Sequence, residues 1–190
     1  MIQAAHKPRQ LTDPTDILIS GCRRNDLQSQ EQLYRLCYPE MIKICFRYAG
    51  DSDGAGTIFN NAMLRVFKNL PQYRHEGKLM GWIKTIIIHC CLDFIKQKNR
   101  FTNKTVESGQ ANDIIVDNHI LENVSAMEIR QIITQLPGAT AAVFNLYLYE
   151  NFTHKQIGES LGISEGTSKW HVNEARRLLK KKLEHYLIPK

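Results

Sequence analysis

The stretch SEGTSKWHVNEARRLLKK, residues 164–181, carries side chains of the kinds that bind DNA. Side chains able to hydrogen-bond or pack against base edges come first, and guanidinium and ammonium groups suited to phosphates follow. The first group consists of Glu165, Thr167, Lys169, Trp170, His171, Asn173 and Glu174, and the second consists of Arg176, Arg177, Lys180 and Lys181. This order predicts a helix whose first turns read bases and whose later turns hold the DNA backbone.

The residues around this stretch predict the helix-turn-helix that presents it. Thr153 and Gln156 have the spacing of a capping box at the start of a first helix, and Gly162 permits a sharp turn after it. Ser164 can cap the second helix. The inward face of that helix is predicted at positions i, i+4, i+7 and i+11, which are Ser168, Val172, Ala175 and Leu179. The opposite face is then expected to enter the DNA major groove.

The cationic end of this helix also has a simpler interpretation. Lysines and arginines there complement the negative C-terminal end of the helix dipole without any ligand. That interpretation explains the cations but not the glycine turn before them. Trp170 stays open between two roles, because its indole can pack across the turn or lie on a DNA sugar or thymine methyl group.

The apolar pattern indicates that helices position these residues. Apolar side chains recur every three or four positions through most of the chain, as at Met41, Ile44, Cys45 and Tyr48, and the alternating pattern of exposed strands is absent. We therefore expect an all-α protein of two small helical domains. The first domain, with four helices, spans 12–100, and the second, a four-helix helix-turn-helix domain without a wing, spans 126–187. Residues 101–125 are polar and aperiodic, which predicts a flexible acidic linker.

Breaker residues divide the first domain into its helices. We expect the glycine-rich segment 50–56 to separate two helices and Pro71 to end the second of them. The last helix is expected to run from about Trp82 to Arg100.

Charge and cysteine content limit the classes of function. The formal net charge is +6, with basic blocks on either side of the acidic linker, which favours a polyanionic partner. The cysteines are odd in number and lie among apolar residues, so we expect reduced core thiols at Cys22, Cys37, Cys45, Cys90 and Cys91. A zinc site using His89 with the two adjacent cysteines is excluded, because neighbouring helical side chains point about 100° apart.

Signals for export and for enzymatic activity are missing from the sequence. No apolar core follows the basic N-terminal residues, and the stretch Ile86–Leu92 is far shorter than the ~20 residues of a membrane span, so we expect a cytoplasmic protein without membrane insertion. No phosphate-binding loop, dinucleotide turn, zinc-protease motif or nucleophile elbow occurs. We therefore expect no enzyme, no cofactor, no metal site and no small-molecule substrate. The loop pair His75 and Glu76 is more simply read as solvated than as an acid–base pair.

Four short motifs mark the second domain: Leu-Pro at 136–137, Phe-Thr-x-x-x-Ile-Gly at 152–158, Gly-Ile-Ser-Glu-Gly-Thr at 162–167 and Ala-Arg-x-x-Leu at 175–179. Together they resemble region 4 of the extracytoplasmic-function (ECF) sigma factors. Because LuxR-type regulators carry a similar helix-turn-helix, this resemblance alone is only moderately specific.

The first domain resembles region 2 of the same family. The resemblance rests on Leu-Tyr-x-x-x-Tyr-Pro at 33–39, on Met-Leu-Arg-Val-Phe-Lys-Asn-Leu at 63–70, and on the helix 81–100 with Trp82 and Asp93 in register. Two matching regions in the right order cover nearly all of the chain beyond residue 12. They imply a sigma factor that binds the RNA polymerase core, places region 4 on the −35 element, melts the −10 element with region 2 and so starts transcription.

The resemblance assigns residues of the first domain to the −10 element. The loop after the third helix is expected to capture a flipped base, and the basic helix after it to hold the single strand. The residues expected to do so are Gln72, Tyr73, Arg74, His75, Lys78, Trp82, Lys84, Lys96, Lys98 and Arg100.

The resemblance also implies contacts with the β′ clamp and the β flap of the polymerase. It leaves open whether an anti-sigma factor binds this chain. The expected core-binding residues are Asp51, Asp53, Asn60, Asn61, Leu64, Arg65 and Phe67. The sequence departs from the family here, with Gly-Ala-Gly-Thr at 54–57 in place of an acidic motif and two asparagines in place of Gln-Glu. We expect weaker charge pairing with the clamp. His89 and Ser168 also depart from the usual Asn and aliphatic residue.

A rival hypothesis uses the helix-turn-helix alone, in a LuxR-like transcription regulator whose first domain senses a signal. A regulator of this kind is expected to bind DNA stably without polymerase, whereas a free ECF sigma factor is expected to bind promoters poorly. A mobility shift with and without core enzyme separates the two.

Overall fold

The computed structural model describes residues 13–74, 78–101, 132–133 and 135–187, without the side chains of 98–101 and 184–187. All regular structure in these ranges is helical, which confirms the all-α prediction. The elements are α1 (Pro14–Arg23), α2 (Leu27–Ala49), α3 (Ser52–Asn69), a 3₁₀ turn (Leu70–Gln72), α4 (Leu79–Phe101), α5 (Gly138–Leu148), α6 (His154–Leu161) and α7 (Glu165–Leu187). Most of the predicted linker, 102–125, and the expected start of the second domain at 126 lie outside the described ranges.

The break between α2 and α3 is shorter than the glycine-rich sequence suggested. Gly50 ends α2 with a φ of +83°, in the left-handed region that glycine adopts readily. Asp51 then caps α3, because its Oδ1 accepts a 2.7 Å hydrogen bond from Gly54 N. Gly54 and Gly56 lie inside α3. The prediction that all of 50–56 separates two helices is therefore wrong.

Helix α3 ends at Asn69, and Pro71 lies in the 3₁₀ turn that follows it. Proline fits the first turn of a helix, where its missing N–H leaves no partner unsatisfied. Helix α4 begins at Leu79, earlier than the expected Trp82.

Helices α1 to α4 form the first unit, whose core lies between α2, α3 and α4. Leu33, Phe59 and Ile83, one from each of these three helices, have no exposed surface. All five cysteines are buried free thiols, which confirms the prediction of reduced core residues. Burial raises the pKa of the Cys37 thiol to about 11.

Helices α5 to α7 form the second unit, in which α5 and α6 both pack on α7. Phe144 of α5 meets Ala175 of α7 in a small apolar cluster. The main apolar core of the first unit continues into the second, since it includes Val143 and Leu146 of α5. The two units are thus packed against each other. Among the described helices, none combines the length and apolarity needed to cross a bilayer.

Candidate nucleic-acid interface

The helix-turn-helix of the second unit has the local structure that its sequence predicts. Thr153 Oγ1 accepts a 3.2 Å hydrogen bond from Gln156 N, and Gln156 Oε1 accepts a 2.9 Å bond from Thr153 N, which confirms the capping box. Gly162 ends α6 with a φ of +71°. Ser164 Oγ accepts a 3.0 Å bond from Thr167 N and caps α7. The turn and the cap are therefore confirmed as well.

Gly158 allows α6 to approach this turn closely. A Cβ atom at this position would lie 2.7 Å from the carbonyl oxygen of Ile163, which is shorter than such contacts allow. Any other residue here would push the turn away from α6. This close approach fixes the position of α7 relative to α6.

The inward face of α7 follows the predicted period, with one addition. Ser168, Val172 and Ala175 are at most 2% exposed, and Leu179 is partly buried. His171 is only 5% exposed, and its Nδ1 shares a 3.0 Å hydrogen bond with Thr140 Oγ1 of α5. The prediction that His171 lies on the outward, base-reading face is therefore wrong. Since α5 covers this side of α7, the buried stripe is wider than one residue per turn.

The other residues assigned to DNA lie at or near the surface of α7. Glu165 and Lys169 form an ion pair of 3.0 Å, and the hydrogen bond from Lys169 lowers the pKa of Glu165. Arg177 pairs with Glu174 at 2.7 Å. Exposed pairs of this kind contribute little stability, so their members can exchange partners for DNA. The partly exposed residues of the set are Thr167, Trp170, Asn173, Glu174, Arg176 and Lys180.

Trp170 packs at least in part on its own helix. Its ring lies edge-on to His171, with the two ring centroids 4.8 Å apart. The indole is partly buried and keeps some surface exposed to solvent.

Most of the described residues that were assigned to the −10 element in the loop after α3 are exposed, and one is buried. Gln72, Arg74 and Lys78 are exposed. Tyr73 is 8% exposed, and its ring centroid lies 5.0 Å from that of Trp82 on α4. The phenol is thus part of the wall between loop and helix rather than free in solvent. His75 lies outside the described residues.

Arg23 is a residue of this site that sequence reasoning missed. From the end of α1 its Nε donates a 3.2 Å hydrogen bond to Leu70 O, and its Nη2 donates a 2.6 Å bond to Tyr73 O. Both acceptors belong to the loop that follows α3. One guanidinium therefore ties the loop backbone to α1, and no local pattern could have revealed a contact across about 50 residues.

Two of the α4 cations assigned to the −10 strand contact the second unit, and both also keep surface exposed to solvent. Lys84 Nζ lies 2.7 Å from Glu150 Oε2, and Lys96 Nζ donates a 3.0 Å hydrogen bond to Ser160 O at the end of α6. The side chains of Lys98 and Arg100 lie outside the described residues.

Two models of one protein family match this chain in the order of its two units. The model described as Sigma-70 region 2 matches residues 33–101, and the model described as Sigma-70, region 4 matches residues 126–179. Together they cover more than half of the chain. The chain belongs to the sigma-70 family of RNA polymerase sigma factors.

Curated relatives place this sigma factor in the ECF group. It is 20% identical over 158 residues to the ECF RNA polymerase sigma factor SigE of Mycolicibacterium smegmatis, covering 81% of this chain but only 61% of that relative. It is 23% identical over 176 residues to the ECF RNA polymerase sigma factor SigW of Bacillus subtilis, covering 87% of this chain and 94% of SigW. Promoter recognition is therefore its function, and sigma factors are not an enzyme family.

A solved structure shows the same fold. A chain of the co-crystal structure of the sigma factor RpoE with the anti-sigma factor NepR from Bartonella quintana is similar with a TM-score of 0.52. The identity is 15%, and the match covers 81% of this sigma factor and 96% of the solved chain.

The outer face of α3 holds most of the residues assigned to the polymerase core. Asp53, Asn61 and Leu64 are exposed, with Leu64 at 67%. The others have partners within the first unit or pack against it: Asp51 caps α3, Asn60 Oδ1 accepts a 2.9 Å hydrogen bond from Tyr34, Arg65 pairs with Asp93 at 2.7 Å, and Phe67 packs on the core. This face therefore presents an apolar leucine among few charges.

The unusual serine of the second unit has a polar partner. Ser168 has no exposed surface, and its Oγ lies 3.0 Å from His154 Nδ1 at the start of α6. The His154 ring in turn stacks on Tyr147 of α5, with centroids 4.7 Å apart. The histidine at the start of α6 therefore satisfies the buried hydroxyl of Ser168.

Proposed function

We propose that α7 reads the −35 element of a promoter as duplex DNA in the major groove. The observation that carries this proposal is the exposed outer face of α7, presented by α6 across the turn at Gly162. Base edges are met by the first three turns and phosphates by the later cations. The base-reading residues are Glu165, Thr167, Lys169, Trp170 and Asn173, and the phosphate-binding residues are Arg176, Arg177 and Lys180. His171 is left out because it is buried.

The first unit is proposed to melt the −10 element and hold one of its strands. The exposed side chains of Gln72, Arg74 and Lys78 lie on the loop that would receive an unstacked base, next to the wall formed by Tyr73 and Trp82. The cations of α4, with Lys84 and Lys96 among them, would follow the strand backbone. His75, Lys98 and Arg100 are kept in this proposal from the family resemblance alone.

The outer face of α3 is proposed to bind the β′ clamp of the polymerase, while the second unit contacts the β flap. Leu64 supplies an apolar anchor at the centre of this face, and Asp53 supplies a remaining carboxylate. The acidic linker between the units is proposed to pass through polymerase channels that otherwise carry nucleic acid. An anti-sigma factor that binds this chain in the cytoplasm is a further proposed partner, by likeness to the family.

The test combines purified core polymerase with the full chain and maps the transcripts that start. We expect starts at a limited set of promoters that share a −10 and a −35 sequence. Failure of the chain to bind core, or transcripts that start without sequence preference, would overturn the proposal. Stable binding to duplex promoter DNA without core would favour the LuxR-like rival.

A promoter library tests which turns of α7 contact bases and which contact phosphates. Lys180→Ala should weaken binding to all promoters alike and reduce the slope of log affinity against log salt by about 1. Lys169→Ala should change the preference at one −35 position, with about 1–3 kcal/mol of discrimination. If the two variants give the same profile across the library, the assignment of base-reading and phosphate-binding turns is wrong.

A further inference from the structure

Trp170 and His171 are neighbours on α7, and their rings meet. Adjacent side chains of a helix point about 100° apart, so their rings meet only when the side chains bend toward each other. Here the ring centroids are 4.8 Å apart and the ring planes make an angle of 70°, which is the edge-to-face arrangement that aromatic rings favour. The indole therefore leans toward the histidine instead of pointing straight away from the helix axis.

The imidazole that contacts the indole is fixed by α5. Its Nδ1 shares a 3.0 Å hydrogen bond with Oγ1 of Thr140, and both residues are at most 5% exposed. Burial lowers the pKa of His171, which favours the neutral ring. Because a hydroxyl group can donate or accept, this bond forms with either neutral tautomer. A continuous series of contacts thus runs from Thr140 through His171 to Trp170.

Trp170 shares a helix face with residues that keep exposed surface. It lies in the second turn of α7 and is itself partly exposed. Thr167 and Glu174, one turn before and one turn after it on the same face, are partly exposed as well. The first turns of a recognition helix meet base edges, and the apolar group that the major groove presents there is the C5-methyl group of thymine.

We propose that Trp170 packs against the methyl group of one thymine in the −35 element, and that Thr140 and His171 are positioning residues that orient its indole for this contact. The inference rests on the proposed role of α7 as the reader of the −35 element. His171 then influences base recognition without touching DNA, because it is buried. A ring held in one orientation loses less freedom on binding than a free ring does, so more of the contact energy is kept for recognition.

Replacement of thymine by uracil tests the methyl contact, because it removes the methyl group and keeps every hydrogen-bonding group of the base. Holoenzyme assembled from core polymerase and the full chain is bound to promoter duplexes in which each −35 thymine is replaced in turn. We expect the affinity to fall about fourfold at one position, as for the loss of one buried methyl group. In Trp170→Ala the same replacement should have no effect.

Thr140→Val tests the positioning, because it removes the hydroxyl group and keeps the branched shape of the side chain. It should remove most of the preference for thymine over uracil, and Thr140→Ser, which keeps the hydroxyl group, should retain the preference. The slope of log affinity against log salt should stay the same, since no phosphate contact is lost. Combined with Trp170→Ala, Thr140→Val should cause no further loss of preference, because it acts through the indole.

His154→Gln is the matched control for a weakened contact of α7. His154 also bonds to a buried residue of α7, Ser168, but its ring stacks on Tyr147 of α5. The preference for thymine should therefore survive in this variant.

Fluorine NMR of the full chain labelled with fluorotryptophan reports on the indole directly. The chain has two tryptophans, so Trp170→Ala assigns both resonances. Thr140→Val should shift the Trp170 resonance and leave that of Trp82 in place. An unmoved Trp170 resonance would contradict the positioning role.

The outcomes separate this inference from the function on which it rests. If the holoenzyme selects promoters but no thymine methyl group matters through Trp170, the thymine contact is wrong. If Trp170→Ala weakens binding to thymine and uracil promoters and leaves their ratio unchanged, the indole packs on a sugar or within the protein. If Thr140→Val and His154→Gln reduce the preference equally, the effect belongs to the placement of the whole helix. A holoenzyme without any promoter preference overturns the proposed function, and this inference with it.

Discussion

His171 Nδ1 lies 3.0 Å from Thr140 Oγ1 in the interior of the second unit. Burial lowers the pKa of the His171 imidazole from its ordinary value of 6.5, and the nearby Glu174 offsets only part of this effect. Burial also lowers the pKa of His154, which contacts Ser168, and the cation of Lys169 adds to the effect. The folded unit therefore favours neutral imidazoles at both positions.

We expect the second unit to lose stability as the pH falls below about 6.5. The folded chain binds fewer protons at these two imidazoles than the unfolded chain does. Their contribution to the free energy of unfolding is therefore fully present above the unfolded pKa and declines as the pH falls towards the lowered values. Urea unfolding followed by circular dichroism between about pH 5 and 8 measures this dependence.

Histidine variants identify the groups responsible. His171→Gln and His154→Gln should each flatten the dependence of stability on pH, whatever they do to stability itself. His89→Gln, at an exposed position on α4, is the control for replacing a histidine outside the second unit. If both of the first two variants keep the full pH dependence of the unmodified chain, the assignment is wrong.

Gly158→Ala should disrupt the helix-turn-helix. The added methyl group would lie 2.7 Å from the Ile163 carbonyl, which is backbone and cannot rotate away. We expect a loss of about 1–3 kcal/mol in the free energy of unfolding, the usual range for forced overpacking. Denaturant unfolding of the full chain measures it.

Gly56→Ala is the matched control for this substitution. Gly56 is also inside a helix, but an added Cβ there would meet no atom within 4 Å. The change should stabilise α3 by roughly 0.5–1 kcal/mol, because alanine loses less backbone freedom than glycine in a helix. Equal effects of the two substitutions would show that the close approach at Gly158 does not matter.

Arg23→Met should impair opening of the −10 element without affecting −35 binding. The variant removes both hydrogen bonds that hold the carbonyl groups of Leu70 and Tyr73, so the loop loses its fixed position. We expect a rate of promoter opening lower by about tenfold, which corresponds to about 1.4 kcal/mol of lost preorganisation. Fluorescence of a base analogue placed in the −10 element reports the opening.

Arg24→Met controls for the loss of a cation from the end of α1. Arg24 is exposed and bonds to Ser20 Oγ within its own helix. Its substitution should leave promoter opening unchanged. If Arg23→Lys restores opening as well as the unmodified chain, a single charge suffices and the two-bond geometry is not required.

Carboxylates added to the outer face of α3 should strengthen binding to the polymerase core. Thr57 and Asn61 are exposed, and the family resemblance implies acidic or Gln-Glu residues at their positions. Thr57→Asp and Asn61→Glu should raise the association rate with a basic clamp surface, most strongly at low salt. Surface plasmon resonance at several salt concentrations measures the rate. Thr57→Asn and Asn61→Gln, which add no charge, should leave it unchanged.

Local chemistry made much of this protein predictable from its sequence. The capping box of Thr153 and Gln156, the turn at Gly162 and the cap at Ser164 each depend on residues a few positions apart, and each is confirmed. The helical period placed Ser168, Val172 and Ala175 on the buried face for the same reason. The family resemblance, which rests on short motifs in order, was confirmed by the matches to both sigma-70 regions.

Only the tertiary structure decided which side chains meet across the chain. His171 is buried because α5 lies over it, Arg23 holds a loop about 50 residues away, and Glu150 joins cations of α2 and α4. Periodicity describes one helix at a time and reports which residues share a face, whereas burial and ion pairing depend on what packs against that face. The sequence alone therefore determined the all-helical class, several helix caps and the family, and the packing of the helices decided which of their polar residues remain free to bind.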